Sequence, residues 1–469
     1  MKKSKNKEFA RITYAFVALF LGMMGYIVYF NIVRGPEIVN SPYNTRQDAF
    51  ADRIIRGGIL SADGDVLAET QIMEDGTETR YYPYGDEFAH VVGYSTQGKT
   101  GIESINNYDL LTSNAFFIEK FKNEFQNKKN EGDTVITTLN TTLQQAAYQA
   151  LGSNKGAVVV MEPSTGKILA MVSSPTYDPN SVAEDWDYLN SDESGSALLN
   201  RATQGSYAPG STFKVVTALE YMRENPNYAD YQYDCAGEIT QDGTTIHCFD
   251  STVHGLEDLR SSIANSCNSS LANIGLSLNK TSYAETAKEL LFNSKLPCPL
   301  DYTKSSFTVN ENTGTAEIMM TAMGQGETQV SPYHMALITS AIANGGTLMQ
   351  PYLVSSIVNN AGTEISSTTP KSYATLMSSS EASQLKEYMS AVVGEGTATL
   401  LSGESYSVAG KTGTAEYSSN PEQSHSWFIG FTNVDNPELA ISVIVEGYDG
   451  DTGARAVPIA KQILDAYYY

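Results

Sequence analysis

The sequence is poor in basic residues relative to acidic ones, and this imbalance argues against one broad class of function. Its 469 residues include 30 Lys and Arg against 53 Asp and Glu, which gives a formal net charge of −23. Phosphate recognition needs clustered Lys and Arg that replace condensed counterions. No basic stripe occurs beyond the N-terminus. We therefore predict that the protein does not bind nucleic acid.

Cysteine is also scarce, and the chain contains four: Cys235, Cys248, Cys267 and Cys298. So few cysteines in so long a chain exclude a disulfide scaffold. Cys235 and Cys248 share a segment with His247 and His254, which leaves open a disulfide, free thiols or a zinc site. Their spacing is not that of a standard zinc finger, so thiols or a disulfide are favoured. We predict no bound metal and no cofactor.

Two nucleotide-binding motifs are incomplete, and repeats or long low-complexity tracts are missing. Gly410-Lys-Thr412 would end a phosphate loop, but Ser405 stands where its first glycine is required. Gly324-Gln-Gly326 lacks the third glycine and the preceding strand of a dinucleotide fingerprint. The sequence thus does not predict a nucleotide site of either kind.

One long apolar run is present, from Ile12 to Val33, with no ionisable side chain except Tyr. Such a run can span a bilayer. Lys and Arg precede it and acidic sequence follows, which predicts a cytoplasmic tail at 1–11, a transmembrane helix at 12–33 and the remainder outside the cell. A cleaved signal peptide is the alternative. It is disfavoured because the run is long and no small-x-small cleavage site clearly follows.

The rest of the chain is predicted to form two soluble parts. Residues 35–150 contain short β-type runs with Gly and Asp turns, which predict a small β-rich pedestal module. In residues 151–469, helical stretches dominate from about 212 to 345. Strand-like runs lie on both sides of them, at 157–161, 168–172, 405–417, 425–432 and 439–446, and a helix closes the chain from about 453. This order predicts an α+β domain with one sheet covered by helices.

The strongest chemical signal is Ser211, which follows Pro209-Gly210 and opens an apolar-periodic helix. Lys214 lies three residues on, so its amine and the Ser211 hydroxyl share one helical face. A lysine can activate a serine only when neutral, which requires its pKa to fall from about 10.4 towards 7, or about 4–5 kcal/mol of desolvation and charge repulsion. Backbone N–H groups at the helix start would favour a developing oxyanion.

The S-x-x-K pattern alone is not specific, because it recurs elsewhere, for example at Ser164/Lys167 and Ser383/Lys386. Order and setting distinguish Ser211. Ser266-Cys-Asn268 follows between helical stretches, and Lys411-Thr-Gly-Thr414 then lies on a strand-like run. Lys99-Thr-Gly101 precedes the serine and is interpreted as an ordinary turn.

With these motifs in this order, the sequence resembles the penicillin-binding proteins, whose set is S-x-x-K, S-x-N and K-[ST]-G. Met323-Gly-Gln-Gly326 and His425-Ser-Trp-Phe-Ile-Gly430 also look like the transpeptidase domain of that family. The stretch 56–68, beginning Arg-Gly-Gly-Ile-Leu, resembles the membrane-proximal pedestal motif of its class B members. The resemblance implies a β-lactamase-like serine transpeptidase domain with a central antiparallel sheet flanked by helices, and a pedestal like the family's dimerisation module.

The resemblance also implies catalytic roles, residue by residue. Ser211 would be the acylated nucleophile and Lys214 its general base. Ser266 would relay a proton to the leaving amine. Asn268 would bind the peptide amide of the substrate, and Lys411 would raise the local positive potential and assist the relay.

Substrate-binding roles are implied for the third motif. Thr412 and Thr414 would hold the substrate carboxylate, and Gly413 would let substrate backbone approach the strand edge, since it has no Cβ. The backbone N–H groups of Ser211 and Thr414 would form the oxyanion hole. Cys267 departs from the family pattern, in which Asp is frequent at this position.

The implied function is a peptidoglycan D,D-transpeptidase that cross-links stem peptides ending in D-Ala-D-Ala and binds β-lactams covalently. A D,D-carboxypeptidase or β-lactamase-type hydrolase is the alternative, and a non-catalytic β-lactam sensor is a further one. The permanent anchor and the additional module favour the synthase. As a partner, the resemblance implies a separate multi-spanning glycosyltransferase.

Overall fold

A computed structural model describes residues 5–30, 53–416, 423–449 and 455–469. Helices and sheets are mixed along the described chain, which confirms the predicted α+β class. The first helix, Lys5–Tyr29, contains the apolar stretch Phe9–Tyr29, which is long enough to cross a membrane and has no buried side chains. This helix suggests a membrane anchor. Residues 1–4 of the predicted tail and 31–33 of the predicted span lie outside the described residues.

The pedestal module is built on a six-stranded sheet. Its strands are, in spatial order, Glu364–Ser367, Val354–Val358, Thr134–Thr137, Ile59–Leu60, Val66–Ile72 and Glu78–Tyr81. The first two strands lie within residues 151–469, which the sequence analysis assigned to the large domain. Of these, Val354–Val358 pairs antiparallel with Thr134–Thr137. The sequence analysis did not anticipate this pairing. The sheet therefore joins the two soluble parts.

Short helices complete the module around this sheet, at Ala89–Val92, Gly101–Ile105, Asn107–Leu110 and Phe117–Phe125. A short parallel pair, Ile54–Ile55 with Asn130–Glu131, lies beside them. At its centre the carboxylate of Glu103 is fully buried and accepts hydrogen bonds from Arg56 Nε at 2.6 Å and Arg80 Nε at 2.7 Å. Burial would raise the pKa of Glu103, but the two guanidinium charges hold it below its usual value. Through its bond to Glu103, the Arg56 of the pedestal motif thus holds the helix Gly101–Ile105 against the sheet.

The large domain contains a five-stranded antiparallel sheet, as expected from the resemblance. Its spatial order is Val408–Glu416, Gln423–Thr432, Ala440–Asp449, Gly156–Met161 and Ile168–Ser174. All six residues of Gly156–Met161 are buried, because helices cover both faces of this strand's sheet. Val408–Glu416, which carries the third motif, forms one edge. That position leaves one side of the strand available for a ligand.

Helices Thr141–Leu151 and Ala456–Tyr468 pack together on the sheet, and both were predicted within a few residues. Asn140 begins the former by accepting a hydrogen bond from the Leu143 N–H. The remaining helices are Trp186–Leu189, Arg201–Gln204, Lys214–Glu224, Leu259–Ala264, Asn268–Ser277, Lys280–Glu289, Thr315–Ala322, Pro332–Ala343 and Ser379–Gly394. A short pair of strands, Thr347–Met349 with Ser372–Thr375, precedes the last of them.

The segment 233–257 differs from the predicted dominance of helices between 212 and 345. It forms strands Tyr233–Cys235, Glu238–Gln241, Thr244–His247 and Gly255–Glu257. The two middle strands make a hairpin whose turn, Asp242-Gly243, has positive φ at both residues. An Asp-Gly turn of this kind matches the twist of a hairpin. The signal is local and is present in the sequence.

The buried Glu103 provides a test of the pedestal. Glu103→Gln would leave Arg56 and Arg80 buried without a compensating charge, and we expect the pedestal to lose about 3–5 kcal/mol of stability. Urea unfolding of the detergent-solubilised chain, followed by fluorescence, measures the change. Glu78→Gln is the matched control, because Glu78 pairs with Lys129 near the surface and its loss should change stability by less than about 1 kcal/mol. Equal effects of the two variants would contradict a structural role for Glu103.

Candidate active site

Ser211 lies in a tight 3₁₀ turn, Gly210–Phe213, that runs directly into the helix Lys214–Glu224. Gly210 has φ +54°, and a Cβ there would stand 2.5 Å from the carbonyl oxygen of Thr414. Its N–H donates to the carbonyl of Gly324 at 2.8 Å. Glycine is therefore required before the serine, since the turn is held between the 324 loop and the edge strand. Ser211 itself remains half-buried.

Lys214 begins the helix and its side chain is fully buried. Its Nζ donates to the carbonyl oxygen of Ser266 at 2.7 Å and to Asn268 Oδ1 at 2.6 Å, and it lies 3.1 Å from Ser266 Oγ. Burial lowers the pKa of Lys214 to about 8. The protonated form still predominates at neutral pH, but the neutral amine is far more populated than it would be at the usual pKa of a lysine.

The second motif lies between the helices Leu259–Ala264 and Asn268–Ser277. Ser266 has φ +56°, in the left-handed region, which turns the chain sharply and directs both its carbonyl and its hydroxyl toward Lys214. Asn268 divides its amide between two partners, with Oδ1 on Lys214 and Nδ2 donating to the carbonyl of His247 at 2.9 Å. The strained backbone at Ser266 is thus held by contacts on both sides.

Lys411 is the second buried amine. Its Nζ donates to Ser266 Oγ at 2.9 Å and to the carbonyl of Thr412 at 3.0 Å. Burial, together with the charge of Lys214, holds the pKa of Lys411 well below its usual value. Within the described residues, no carboxylate bonds to either amine. One hydroxyl therefore lies between two amines that cannot both easily remain charged.

The edge strand completes the site. A Cβ on Gly413 would stand 3.0 Å from Thr212 Cγ2 and 3.2 Å from the Pro209 carbonyl, so this glycine lets the strand lie directly against the serine turn. Thr412 Oγ1 shares a 2.6 Å hydrogen bond with Thr397 Oγ1. Gln325 Nε2 donates to the carbonyl of Thr414 at 3.3 Å.

The structure brings the eight predicted site residues to one place. Ser266 connects Lys214 with Lys411, Asn268 contacts Lys214, and the turn around Ser211 packs against Gly413 and Thr414. Sequence reasoning missed Thr397, Gln325 and the His247 carbonyl. Gln325 lies in a Gly-Gln-Gly stretch that the sequence analysis had noted, but no local signal indicates Thr397. Its role depends on a contact across 15 residues.

This arrangement is typical of an active-site-serine acyl-transfer centre. The turn that carries Ser211 leads directly into the helix that begins with Lys214, a buried amine of lowered pKa, and the Ser266 hydroxyl links that amine to Lys411. Such a set can accept a proton from a nucleophile and return it to a leaving group. The nearby backbone N–H groups can stabilise an oxyanion.

Comparison with known proteins gives the family. Residues 156–465 match the penicillin binding protein transpeptidase domain, and residues 56–135 match the penicillin binding protein A dimerisation domain. The chain therefore belongs to the penicillin-binding protein transpeptidase family, which confirms the resemblance seen in its motifs. Together these matches cover most of both soluble parts.

Several relatives are similar over most of their length. The peptidoglycan D,D-transpeptidase PbpA of Mycobacterium tuberculosis is 33% identical over 441 residues, covering 87% of this chain and 88% of the relative. PbpA of Mycolicibacterium smegmatis is 31% identical, covering 98% of this chain and 99% of the relative. The structure of penicillin-binding protein A from M. tuberculosis in its penicillin G acyl-enzyme complex superposes with a TM-score of 0.80 at 30% identity, covering 88% of this chain and 99% of that one.

Proposed function

We propose that this chain is a membrane-anchored peptidoglycan D,D-transpeptidase that cross-links stem peptides through a Ser211 acyl-enzyme and is acylated by β-lactams. The observation that carries the proposal is the Ser266 hydroxyl, placed between the buried amines of Lys214 and Lys411 beside the serine turn. The relatives named as D,D-transpeptidases and the penicillin G acyl-enzyme of a similar structure support it.

Acylation begins at Ser211. Neutral Lys214 accepts the hydroxyl proton while Ser211 Oγ attacks the carbonyl of the penultimate D-Ala. The backbone N–H groups of Ser211 and Thr414 stabilise the oxyanion, and the close contact between the serine turn and the edge strand supports this pairing. Collapse of the tetrahedral intermediate breaks the peptide bond and releases terminal D-Ala.

Proton return to the leaving amine requires a path, and Ser266 supplies it. Its hydroxyl contacts Lys214 at 3.1 Å and Lys411 at 2.9 Å, so a proton held on Lys214 can pass through Ser266 to the departing nitrogen. Lys411 orients the hydroxyl, and it can carry positive charge while Lys214 is neutral, because the repulsion between the two amines is then absent. An amine of a neighbouring stem peptide then attacks the acyl-enzyme, with Lys214 again accepting a proton.

Substrate recognition falls to the edge strand and the second motif. Thr412 and Thr414 hold the substrate carboxylate, and the bond from Thr397 to Thr412 orients the latter's hydroxyl. Gly413 lets the strand that receives the peptide backbone lie directly against the serine turn. Asn268 binds the peptide amide, and its contacts with Lys214 and the His247 carbonyl fix its orientation.

The proposed orientation in the membrane is argued from the charges that flank the N-terminal apolar helix. The proposed glycosyltransferase partner is argued from membership of the family. We place the N-terminus in the cytoplasm and the catalytic domain outside, next to a separate multi-spanning glycosyltransferase that contacts the anchor helix and pedestal. In intact cells, a penicillin probe that cannot cross the membrane should label the chain, and cross-linking from the anchor should capture such a partner. A chain labelled only after lysis would contradict the orientation, and recovery of the chain alone would contradict the partner.

Replacement of the nucleophile tests the proposal. Ser211→Ala should abolish covalent labelling by fluorescent penicillin, because it removes the oxygen that attacks the β-lactam, while circular dichroism remains unchanged. Ser383→Ala is the matched control, since it alters an exposed S-x-x-K serine outside the site, and it should label normally. Labelling of the Ser211 variant at the wild-type rate would refute the assignment.

The pH dependence of acylation tests the base. Only the neutral form of Lys214 accepts a proton, so the second-order acylation rate constant should rise with pH through about 8. Lys214→Arg keeps a permanent charge and should lower the rate constant by about 10²–10⁴-fold and remove this rise. Lys371→Arg, at an exposed lysine, is the control. A pH profile of Lys214→Arg that still rises would show that another group takes the proton.

The fate of the acyl-enzyme separates transferase from hydrolase. With a D-Ala-D-Ala stem peptide as donor, the acyl-enzyme should persist in water and should be consumed faster when an acceptor amine is added, giving a cross-linked product by mass spectrometry. Rapid decay that is independent of acceptor would instead favour the carboxypeptidase or β-lactamase alternative.

A further inference from the structure

Three cysteines and one histidine converge directly behind the second catalytic motif. Cys235 ends the strand Tyr233–Cys235, Cys248 follows the hairpin, and His254 precedes the strand Gly255–Glu257. The fourth member, Cys267, stands between Ser266 and Asn268. Their four candidate ligand atoms all lie within 4.8 Å of one another. The three cysteine side chains are buried and His254 is half-buried.

The separations match those expected for a tetrahedral zinc ion. Zinc bonds of about 2.3 Å to sulfur and about 2.0–2.1 Å to nitrogen place two tetrahedral sulfur ligands about 3.8 Å apart, and sulfur and nitrogen about 3.6 Å apart. The Sγ atoms of Cys235 and Cys248 are 3.7 Å apart, and those of Cys248 and Cys267 are also 3.7 Å apart. Cys235 Sγ lies 3.4 Å from His254 Nδ1.

A disulfide accounts for this cluster less well. The four cysteines of the chain are free in the structure, and a disulfide requires sulfurs about 2.05 Å apart. A disulfide between any two of the three clustered cysteines would not explain why the third thiol and the His254 imidazole also lie beside them. The convergence of four soft or borderline donors on one point instead indicates a shared ligand.

The groups around the sulfurs suit thiolates. Backbone N–H groups of Gly237 and Ser270 donate to Cys235 Sγ and Cys267 Sγ, each at 3.4 Å. Ser269 Oγ lies 3.1 Å from Cys235 Sγ and 3.4 Å from each of the other two sulfurs. Cys267 is also the N-cap of the ten-residue helix Asn268–Ser277, where the helix dipole favours negative charge. Hydrogen bonds of this kind orient metal ligands.

We propose that Cys235, Cys248, His254 and Cys267 bind one zinc ion in a closed structural site that fixes the second catalytic motif in place. Four protein ligands leave no open position for substrate, which is the pattern of a structural rather than a catalytic zinc. Binding would displace the thiol protons to solvent. This proposal departs from our sequence prediction of no metal, which judged the spacing of two cysteines and did not include the third.

Because Cys267 lies between Ser266 and Asn268, a zinc ion bound to it would affect the position of both residues. A metal bound there would tether the Ser266-Cys267-Asn268 turn to the strands of 233–257. The other side-chain bonds described between this region and that segment run from Asn268 to the His247 carbonyl, from Asn265 to Glu257, and from the Ser269 hydroxyl to the sulfurs of Cys235 and Cys248. Most residues of 233–257 are exposed or half-buried, so the segment has little apolar core of its own. A metal can supply the stability that so small a segment lacks.

Metal analysis of the full-length chain tests the site directly. Protein purified in detergent without chelator should contain one zinc ion per chain by mass spectrometric elemental analysis. Cys235→Ser and Cys248→Ser should lose most of it, whereas Cys298→Ser, which alters the cysteine outside the cluster, should retain it. Wild-type protein that reacts with penicillin but holds no stoichiometric zinc, even after incubation with zinc, would overturn the proposal.

A second arm uses wild-type protein, so it does not depend on the folding of variants. Exchange of the ion for Co²⁺ should produce the thiolate charge-transfer and tetrahedral d–d absorption bands of a thiolate-rich site. Removal of the metal by a chelator should slow penicillin acylation by about 10–100-fold, and added zinc should restore it. Unchanged acylation by metal-free protein would refute the positioning role.

The effect on acylation rests on the proposed function, but the metal content does not. A zinc-loaded chain that penicillin fails to label would therefore count against the transpeptidase and leave the metal site standing.

Discussion

Two buried amines that share a single hydroxyl are the arrangement on which the rest of this molecule depends. Lys214 and Lys411 are both fully buried and both contact Ser266 Oγ. A buried ammonium without a carboxylate partner is unfavourable, so the site favours loss of a proton. The fold stabilises the remaining charge with oriented carbonyl and amide oxygens, which cannot take up a proton as a carboxylate could. The result is an amine of lowered pKa, which is a group that can serve as a base without a histidine.

The glycines around the serine turn make this arrangement sterically possible. Gly210 lies against the Thr414 carbonyl, Gly324 against Gly210, and Gly413 against Thr212 and the Pro209 carbonyl. At each of these glycines, a neighbouring segment lies in the space that a Cβ would fill. Three segments distant in sequence therefore meet without side chains between them, and the turn that carries Ser211 lies against the edge strand that carries Thr414.

Much of the site could be predicted from sequence because its signals are local. Pro209-Gly210 before an apolar-periodic helix placed Ser211 at a helix start, and alternating or continuous apolar runs located the sheet strands within a few residues. The convergence of the three motifs came from resemblance to a family, since no spacing rule brings residues 211, 266 and 411 together. Thr397 and the grouping of Cys267 with His254 depend on tertiary contacts, and neither has a signal in its own neighbourhood.

The shared pedestal sheet has a mechanical consequence. Val354–Val358 belongs to the catalytic half of the chain, yet it hydrogen-bonds to Thr134–Thr137. The two soluble parts are therefore not separate domains joined only by a flexible linker. Separation would strip a ladder of backbone hydrogen bonds and expose the edge of a strand to aggregation. A tilt imposed on the membrane-proximal part would thus be transmitted to the catalytic domain through continuous β-structure. The position of the catalytic domain relative to the pedestal would then be fixed by this shared sheet and not left to a flexible linker.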